Sequence, residues 1–334
     1  MASKWLLSKF LGAGSYGSVF LGQCVSPSLT CYYNSPTIAA IKSSLQTNSW
    51  SLKLEKAVLY ELRGCPEIVR YFPAEDFDIV NEYGDKFHNI VLEYADGGTL
   101  TQLIKSRGGW IPEYEASWYA RMMLKGLSHV HHRGFVHCDL KPDNVLVFNV
   151  PSGEGKGVVK YNLKLADFGL AKRSGGVSCG AGGEYKNRGT LLYSSPESVV
   201  FGIHETAMDV WSLGCMLLEM LLGKGGLWNR FIDVDGQCLA EMIANYEDDR
   251  LNMILPKFDY LSVNAKDFVR RCLKQNVKER WTAEELLKHP FISHNQNLLK
   301  KFEAQLSYKK MIKYQSSTAL SYSFASSHIS LGVC

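Results

Sequence analysis

The residues best suited to chemistry lie in one short run, Phe135-Val-His-Cys-Asp-Leu-Lys-Pro-Asp-Asn-Val-Leu-Val147. Its apolar flanks, Phe135-Val136 and Val145-Leu-Val147, read as short buried strands. Between them stand a histidine, two acids, a lysine and an asparagine within eight residues. Buried strands do not bracket so much charge unless that charge is bound to something. A tight loop containing Pro142 lets Asp139, Lys141 and Asn144 reach one point. An acid, a cation and an amide converging beside a cleft are suited to handling charged oxygens. A polar surface turn would account for the run taken alone, so the weight falls on the elements that must position it.

Upstream, Leu11-Gly-Ala-Gly-Ser-Tyr-Gly-Ser-Val-Phe20 is a glycine-rich turn leading into an extended run. Gly12, Gly14 and Gly17 let backbone amides approach a phosphate closely. A strand rather than a helix follows at Val19-Phe-Leu21, which argues for a hairpin flap and against a dinucleotide-binding helix. Ile38-Ala-Ala-Ile-Lys42 is a strand whose period of two puts Ile38, Ala40 and Lys42 on one face. A solvated edge lysine is the ordinary reading of Lys42, yet small Ala40 beside it leaves room for a flat ligand. Ser51 to Leu62 predicts a helix with Ser51 as N-cap. Leu52, Val58, Leu59 and Leu62 form its stripe, with Glu55 near the centre and Glu61 at the edge. A carboxylate there costs several kcal/mol unless paired, so Glu55 requires a cation, and Lys42 can supply it. His88-Asn-Ile-Val-Leu-Glu-Tyr94 is a buried strand, and Gly97-Gly98 after it marks a hinge between two halves.

The second half reads as mainly helical. Thr99 caps a short helix, and Pro112 opens a longer one that Gly134 ends. His129, His131 and His132 suit the dipole at its C-terminal end; metal ligation is disfavoured because no acidic partner follows in sequence. Val150 to Tyr161 reads as a hairpin connection, and Leu163-Lys-Leu-Ala-Asp-Phe-Gly169 as a strand ending in an acid. A glycine-rich stretch from Ser174 to Gly183 precedes Gly189-Thr-Leu-Leu-Tyr-Ser-Ser-Pro-Glu197. The run from Asp209 to Leu222 is apolar nearly all round, as a central buried helix is.

Composition bounds the rest. The 334 residues are 46% hydrophobic with a net charge of +4, which favours neither nucleic acid nor a membrane surface. Nine scattered cysteines show no zinc-like spacing and suit a reducing, cytoplasmic or nuclear setting. No apolar run reaches membrane-spanning length, and no secretory segment or myristoylation glycine is apparent at Met1.

In order and context these motifs resemble the eukaryotic protein kinases, from about Trp5 to Ser293. That resemblance implies an α+β bilobal fold, with a small mainly-β lobe (1–95) and a larger mainly-α lobe (96–293) followed by a tail (294–334). By the same resemblance, Gly12, Gly14 and Gly17 cover the ATP phosphates, while Val19, Ala40 and Leu146 enclose the adenine. Lys42 holds the α/β-phosphates and pairs with Glu55; Glu93 and Ala95 offer hinge backbone groups behind Leu92. Asp139 is the implied catalytic base with Lys141 beside it, and Asn144 and Asp167 hold Mg²⁺. Glu197 pairs with Arg280 as a brace. Lys141 and Thr190 resemble those of Ser/Thr kinases, and the two longest motifs resemble plant-type mitogen-activated protein kinase kinase kinases. The implied partner is a protein substrate, a kinase kinase. An ATP-binding scaffold without turnover is the competing class, and a Mg²⁺-ATP assay separates the two.

Two positions depart from the family pattern. Ser195 replaces the alanine of Ala-Pro-Glu, a small-for-small change. Cys138 stands where most members carry the arginine that binds a phosphorylated loop. A neutral thiol cannot do that, so activity is expected not to depend strongly on a loop phosphate at this point. Ser174, Ser178 and Thr190 remain candidate phosphosites. The basic stretch Leu298–Lys313 reads as a solvated helix or a docking segment, followed by a disordered Ser/Tyr-rich end.

Overall fold

The computed structural model describes residues 4–14, 17–25, 36–150, 161–175, 188–223, 226–227, 235–249, 251, 255 and 259–293. The readings made for the 151–160 connection, Ser178 and the tail lie outside these residues. Among the described residues no helix is long and apolar enough to cross a membrane.

The N-terminal half is a five-stranded antiparallel sheet. Its strands are β1 (Trp5–Gly14), β2 (Gly17–Cys24), β3 (Ile38–Leu45), β4 (Phe77–Val80) and β5 (Lys86–Leu92), in the order β1-β2-β3-β5-β4. Ala39 and Ile41 of β3 pack with Trp5 and Val91 in a small core, which turns Ala40 and Lys42 to the opposite face. Register then places Val19 across from Lys42 and Ala40 across from Leu92. Gly17 fits because a Cβ there would stand 2.3 Å from the Ser43 carbonyl oxygen.

Helix α1 (Trp50–Glu61) buries Leu52, Val58 and Leu59 together with Glu55, as the stripe predicts. Its start differs from expectation. Ser49 is the N-cap residue and makes no side-chain capping bond, while Ser51 lies within the first turn. The Ser51 hydroxyl is buried and donates to the Gly169 carbonyl at 3.0 Å. A tertiary acceptor thus replaces the local role that the capping rule assigns to a serine near a helix start.

In the second half, Thr99 and Gln102 form a capping box at α2 (Leu100–Ser106). Pro112 is the N-cap of α3 (Glu113–His132), one position before the expected one. Four short strands follow: β6 (Phe135–Val136), β7 (Val145–Asn149), β8 (Tyr161–Leu165) and β9 (Lys172–Arg173). β6 pairs with β9 and β7 with β8, so the two apolar flanks of the organising run anchor it in separate ribbons. Helices α4 (Pro196–Phe201), α5 (Thr206–Leu222), α6 (Gly236–Ala244), α7 (Val263–Cys272) and α8 (Ala283–Leu287) complete the described fold. α5 is buried without a break from Met208 to Leu218. A Cβ at Gly214 would stand 2.7 Å from that of Cys272, which sets how closely α5 and α7 pack. Arg280 meets Glu197 through bonds of 2.6 and 3.0 Å, as expected.

Candidate active site

The sheet presents Lys42 to a cleft floored by the loop from His137 to Asn144. Lys42 Nζ donates to Glu55 Oε2 at 2.5 Å and to Asp167 Oδ1 at 3.0 Å. Burial works against the ammonium, but the two carboxylates outweigh it and hold Lys42 protonated well above its ordinary range. Burial pushes the Glu55 carboxyl up, more than Lys42 pulls it down. For Asp167, burial also pushes up, yet Lys42 prevails and its carboxyl titrates below the ordinary value. The stripe argument for Glu55 therefore holds: the cation it required is Lys42.

On the floor, Asp139 is fully engaged. Its Oδ1 accepts from the Thr190 hydroxyl at 2.8 Å and its Oδ2 pairs with Lys141 Nζ at 2.9 Å. Lys141 Nζ also donates to Thr190 Oγ1 at 2.8 Å, closing a triangle. Asn144 Nδ2 donates to the Asp139 carbonyl at 2.8 Å and to its Oδ2 at 3.1 Å, and neither bond uses Asn144 Oδ1. The Thr190 hydroxyl thus both donates and accepts within this cluster. Among the described non-glycine residues, only Cys138 (φ 69°) and Asp167 (φ 62°) have positive φ. Such strain persists where surrounding bonds over-determine it.

Asp167 is held by Lys42 and by the Gly169 N–H; the bonds at Cys138 come from Asp209, which the sequence reading did not single out. Its buried carboxylate accepts the backbone N–H of His137 at 2.8 Å and of Cys138 at 3.1 Å. It also meets His131 Nε2 at 2.9 Å, supplying an acidic partner that sequence proximity did not show. The signal was available: an acid on a helix apolar all round needs partners as Glu55 does. His137 adds a second tie. Its Nε2 faces the Ala166 carbonyl at 3.0 Å while Nδ1 faces the Asp139 N–H at 3.3 Å, a pattern that puts the proton on Nε2. Cys138 is 1% exposed, packed with Val136 and Met208, and burial raises its thiol far above the ordinary value.

At the hinge, Glu93 donates its N–H to the Arg70 carbonyl at 2.8 Å, and its carboxylate takes Lys164 Nζ at 2.7 Å. Among the described residues no backbone bond uses the Glu93 carbonyl or the Ala95 N–H. Gly12 and Gly14 have nothing within 4 Å of a built Cβ.

The protein kinase domain family matches residues 5–292. The chain belongs to the protein kinase family. Over 295 residues, 87% of this kinase and 78% of the relative, it is 36% identical to mitogen-activated protein kinase kinase kinase 20 of Arabidopsis thaliana. It is 32% identical over 290 residues to kinase kinase kinase 17 of the same plant, covering 87% of this chain and 70% of that one. A third such protein, kinase kinase kinase 3, is 33% identical over 293 residues, covering 87% of this chain and 42% of that relative. Together these make the chain a protein serine/threonine kinase that resembles the plant kinase kinase kinases. Its substrate is therefore ATP.

The donor set also fits Mg²⁺. One carboxylate, Asp167, and the amide oxygen of Asn144 are hard oxygen ligands of the number that Mg²⁺ takes when phosphates complete its shell. Among the described residues no group of three or more His, Cys, Asp or Glu side chains could hold a metal without such help.

Proposed function

We propose that this kinase phosphorylates serine or threonine in a kinase kinase, with Asp139 as base and with Asn144 and Asp167 holding Mg²⁺. The observation that carries the reading is the closed set of bonds among Asp139, Thr190 and Lys141. It fixes the carboxylate beside a hydroxyl-bearing segment, where an incoming substrate hydroxyl would compete for the same oxygen. The substrate oxygen attacks the γ-phosphorus, the bond from that phosphorus to the β-phosphate oxygen breaks, and ADP leaves. Asp139 takes the hydroxyl proton. Lys141 offsets negative charge as it develops. Lys42, wedged between Glu55 and Asp167, is proposed to orient the α/β-phosphates, while Gly12, Gly14 and Gly17 bring backbone amides over them. Asn144 and Asp167 would hold Mg²⁺, which would supply positive charge against the phosphates. Val19, Ala40, Leu92 and Leu146 are proposed to enclose the adenine. The names of the relatives support a kinase kinase as substrate, and the free thiols of the described cysteines are in keeping with a reducing, cytoplasmic setting.

The test is Mg²⁺-ATP turnover on a panel of kinase-dead kinase kinases, with Asp139→Asn as control. Transfer to one or more panel members, abolished in the control, is the expected result. Turnover that survives Asp139→Asn refutes the role of that acid. Transfer to generic peptides but to no kinase kinase refutes the substrate class.

A further inference from the structure

Cys138 removes the cation that would tie the start of the activation segment to the catalytic loop, so something else must hold that segment. Backbone bonds do part of this, through the β6–β9 ladder and the Ser174 N–H to the Gly134 carbonyl at 2.9 Å; the side-chain tie is Glu205. Glu205 is the N-cap residue of α5, yet its carboxylate makes no bond to its own helix. It reaches β9 instead. Ser174 Oγ donates to Oε2 at 2.5 Å, and the Gly175 N–H lies 3.1 Å from both oxygens. Lys172 Nζ lies 3.2 Å from Oε1 and also donates to the His204 carbonyl at 2.8 Å. Partial burial pushes the Glu205 carboxyl up, but the bonds from Ser174, Gly175 and Lys172 outweigh it and keep it ionised below its ordinary range. The neighbouring Arg173 points the other way and grips both oxygens of Glu61, on α1, at 2.8 Å. β9 is thus a clasp whose alternate side chains hold α5 on one side and α1 on the other.

A carboxylate therefore already fills the anion seat at the head of this segment. We propose that Ser174 is a phosphorylation site at which modification switches the kinase off, because the phosphate arrives as a second anion where Glu205 is already bound. Ser174 is exposed, so an upstream ATP-dependent serine/threonine kinase can reach it. The γ-phosphoryl moves to Oγ, its bond to ADP breaks, and the hydroxyl proton leaves to solvent. The serine then loses the proton it donates to Glu205. It gains a charge of about −1.5 to −2 against an ionised carboxylate, with Lys172 to serve both. The clasp opens, Arg173 is no longer aimed at Glu61, and α1 loses one of its ties to the segment. The inference rests on the phosphotransferase reading above, since it concerns how that activity is set.

The test uses the full chain co-expressed with a phosphatase, as wild type, Ser174→Ala, Ser174→Asp, Ser174→Asp/Glu205→Gln and the Asp139→Asn control. Two readouts are taken: kcat/KM on a kinase-dead kinase kinase, and hydrogen exchange at the Gly175 amide with tryptic cleavage after Lys172 and Arg173. Ser174→Ala keeps most of its activity, whereas Ser174→Asp falls about tenfold with faster exchange and cleavage. The double variant, which moves the carboxylate from 205 to 174 and leaves Lys172 paired, recovers both. Wild-type behaviour or activation in Ser174→Asp overturns the proposal. So does a double variant as impaired as the single one, because the effect would then not run through Glu205. If wild type turns over no better than Asp139→Asn, the phosphotransferase reading fails. Exchange and cleavage then still decide whether position 174 opens the clasp.

Discussion

Replacing Asp209 by asparagine isolates what holds the catalytic loop in place. The side chain keeps its size but one oxygen becomes an amide donor. If that NH₂ takes the place of Oδ1, it faces the Cys138 N–H, now 3.1 Å from an acceptor. One buried N–H is then left without a partner, which costs about 1–3 kcal/mol. The bonds to His137 N and His131 Nε2 change from charge-assisted to neutral, for about 1 kcal/mol each. The sum is about 3–5 kcal/mol, or a fall in Tm of about 6–10 °C for a domain of this size. Cys138 sits at φ 69° and is free to relax once its N–H is released, carrying Asp139 with it. A displacement of about 1 Å at such a group costs about 100-fold in kcat. KM for ATP stays within about twofold, because Lys42 and the hinge are untouched. Thermal denaturation and steady-state kinetics on the same preparation check both halves. A variant whose Tm falls but whose kcat stays within about threefold refutes the claim that Asp209 sets the geometry of Asp139.

Glu197→Ala leaves a guanidinium with a fully buried side chain and no carboxylate. The Lys274 and Ala207 carbonyls still hold it, so the cost sits near the low end for a broken buried pair, about 3 kcal/mol or about 6 °C in Tm; calorimetry measures it. Gly189→Ala demands a side chain at φ +94° with its Cβ 2.3 Å from the Cys138 carbonyl oxygen. Stability is expected to drop by about 2 kcal/mol or more, with loss of turnover, in parallel melting and activity assays. The Glu205 carboxyl is depressed from its ordinary value of 4.5, so its stabilising contribution is complete above that value and fades as pH falls through the lower folded-state one. Chemical denaturation from pH 7 to pH 3 should therefore show wild type ahead of Glu205→Gln at neutral pH, with the gap closing on the acid side.

Much of the site was legible because buried charge announces itself. Glu55 on an apolar stripe demanded a cation, and Lys42 on the ligand face of β3 was the one within reach. The glycine hairpin, the Thr99 cap and the Glu197–Arg280 brace followed from local chemistry or from motif order. What escaped were contacts between elements far apart in sequence. Ser51 looked like a cap because the rule counts only neighbouring N–H groups, whereas its acceptor lies 118 positions away. His131 looked unpartnered because Asp209 is 78 positions on. Glu205 gave no signal at all: an acid before a helix is ordinary, and only the path of β9 reveals what it binds.

The burial of Cys138 has a chemical consequence. A thiol next to the proposed base would be a point of failure under peroxide or electrophile stress if it ionised, since the thiolate is the reactive form. Sealed at 1% exposure and kept protonated by its surroundings, it offers oxidants neither access nor a nucleophile. Among the described cysteines, the partly exposed Cys24, Cys65 and Cys238 meet such reagents first. The thiol at position 138 therefore does not make the loop around Asp139 a ready target for oxidation.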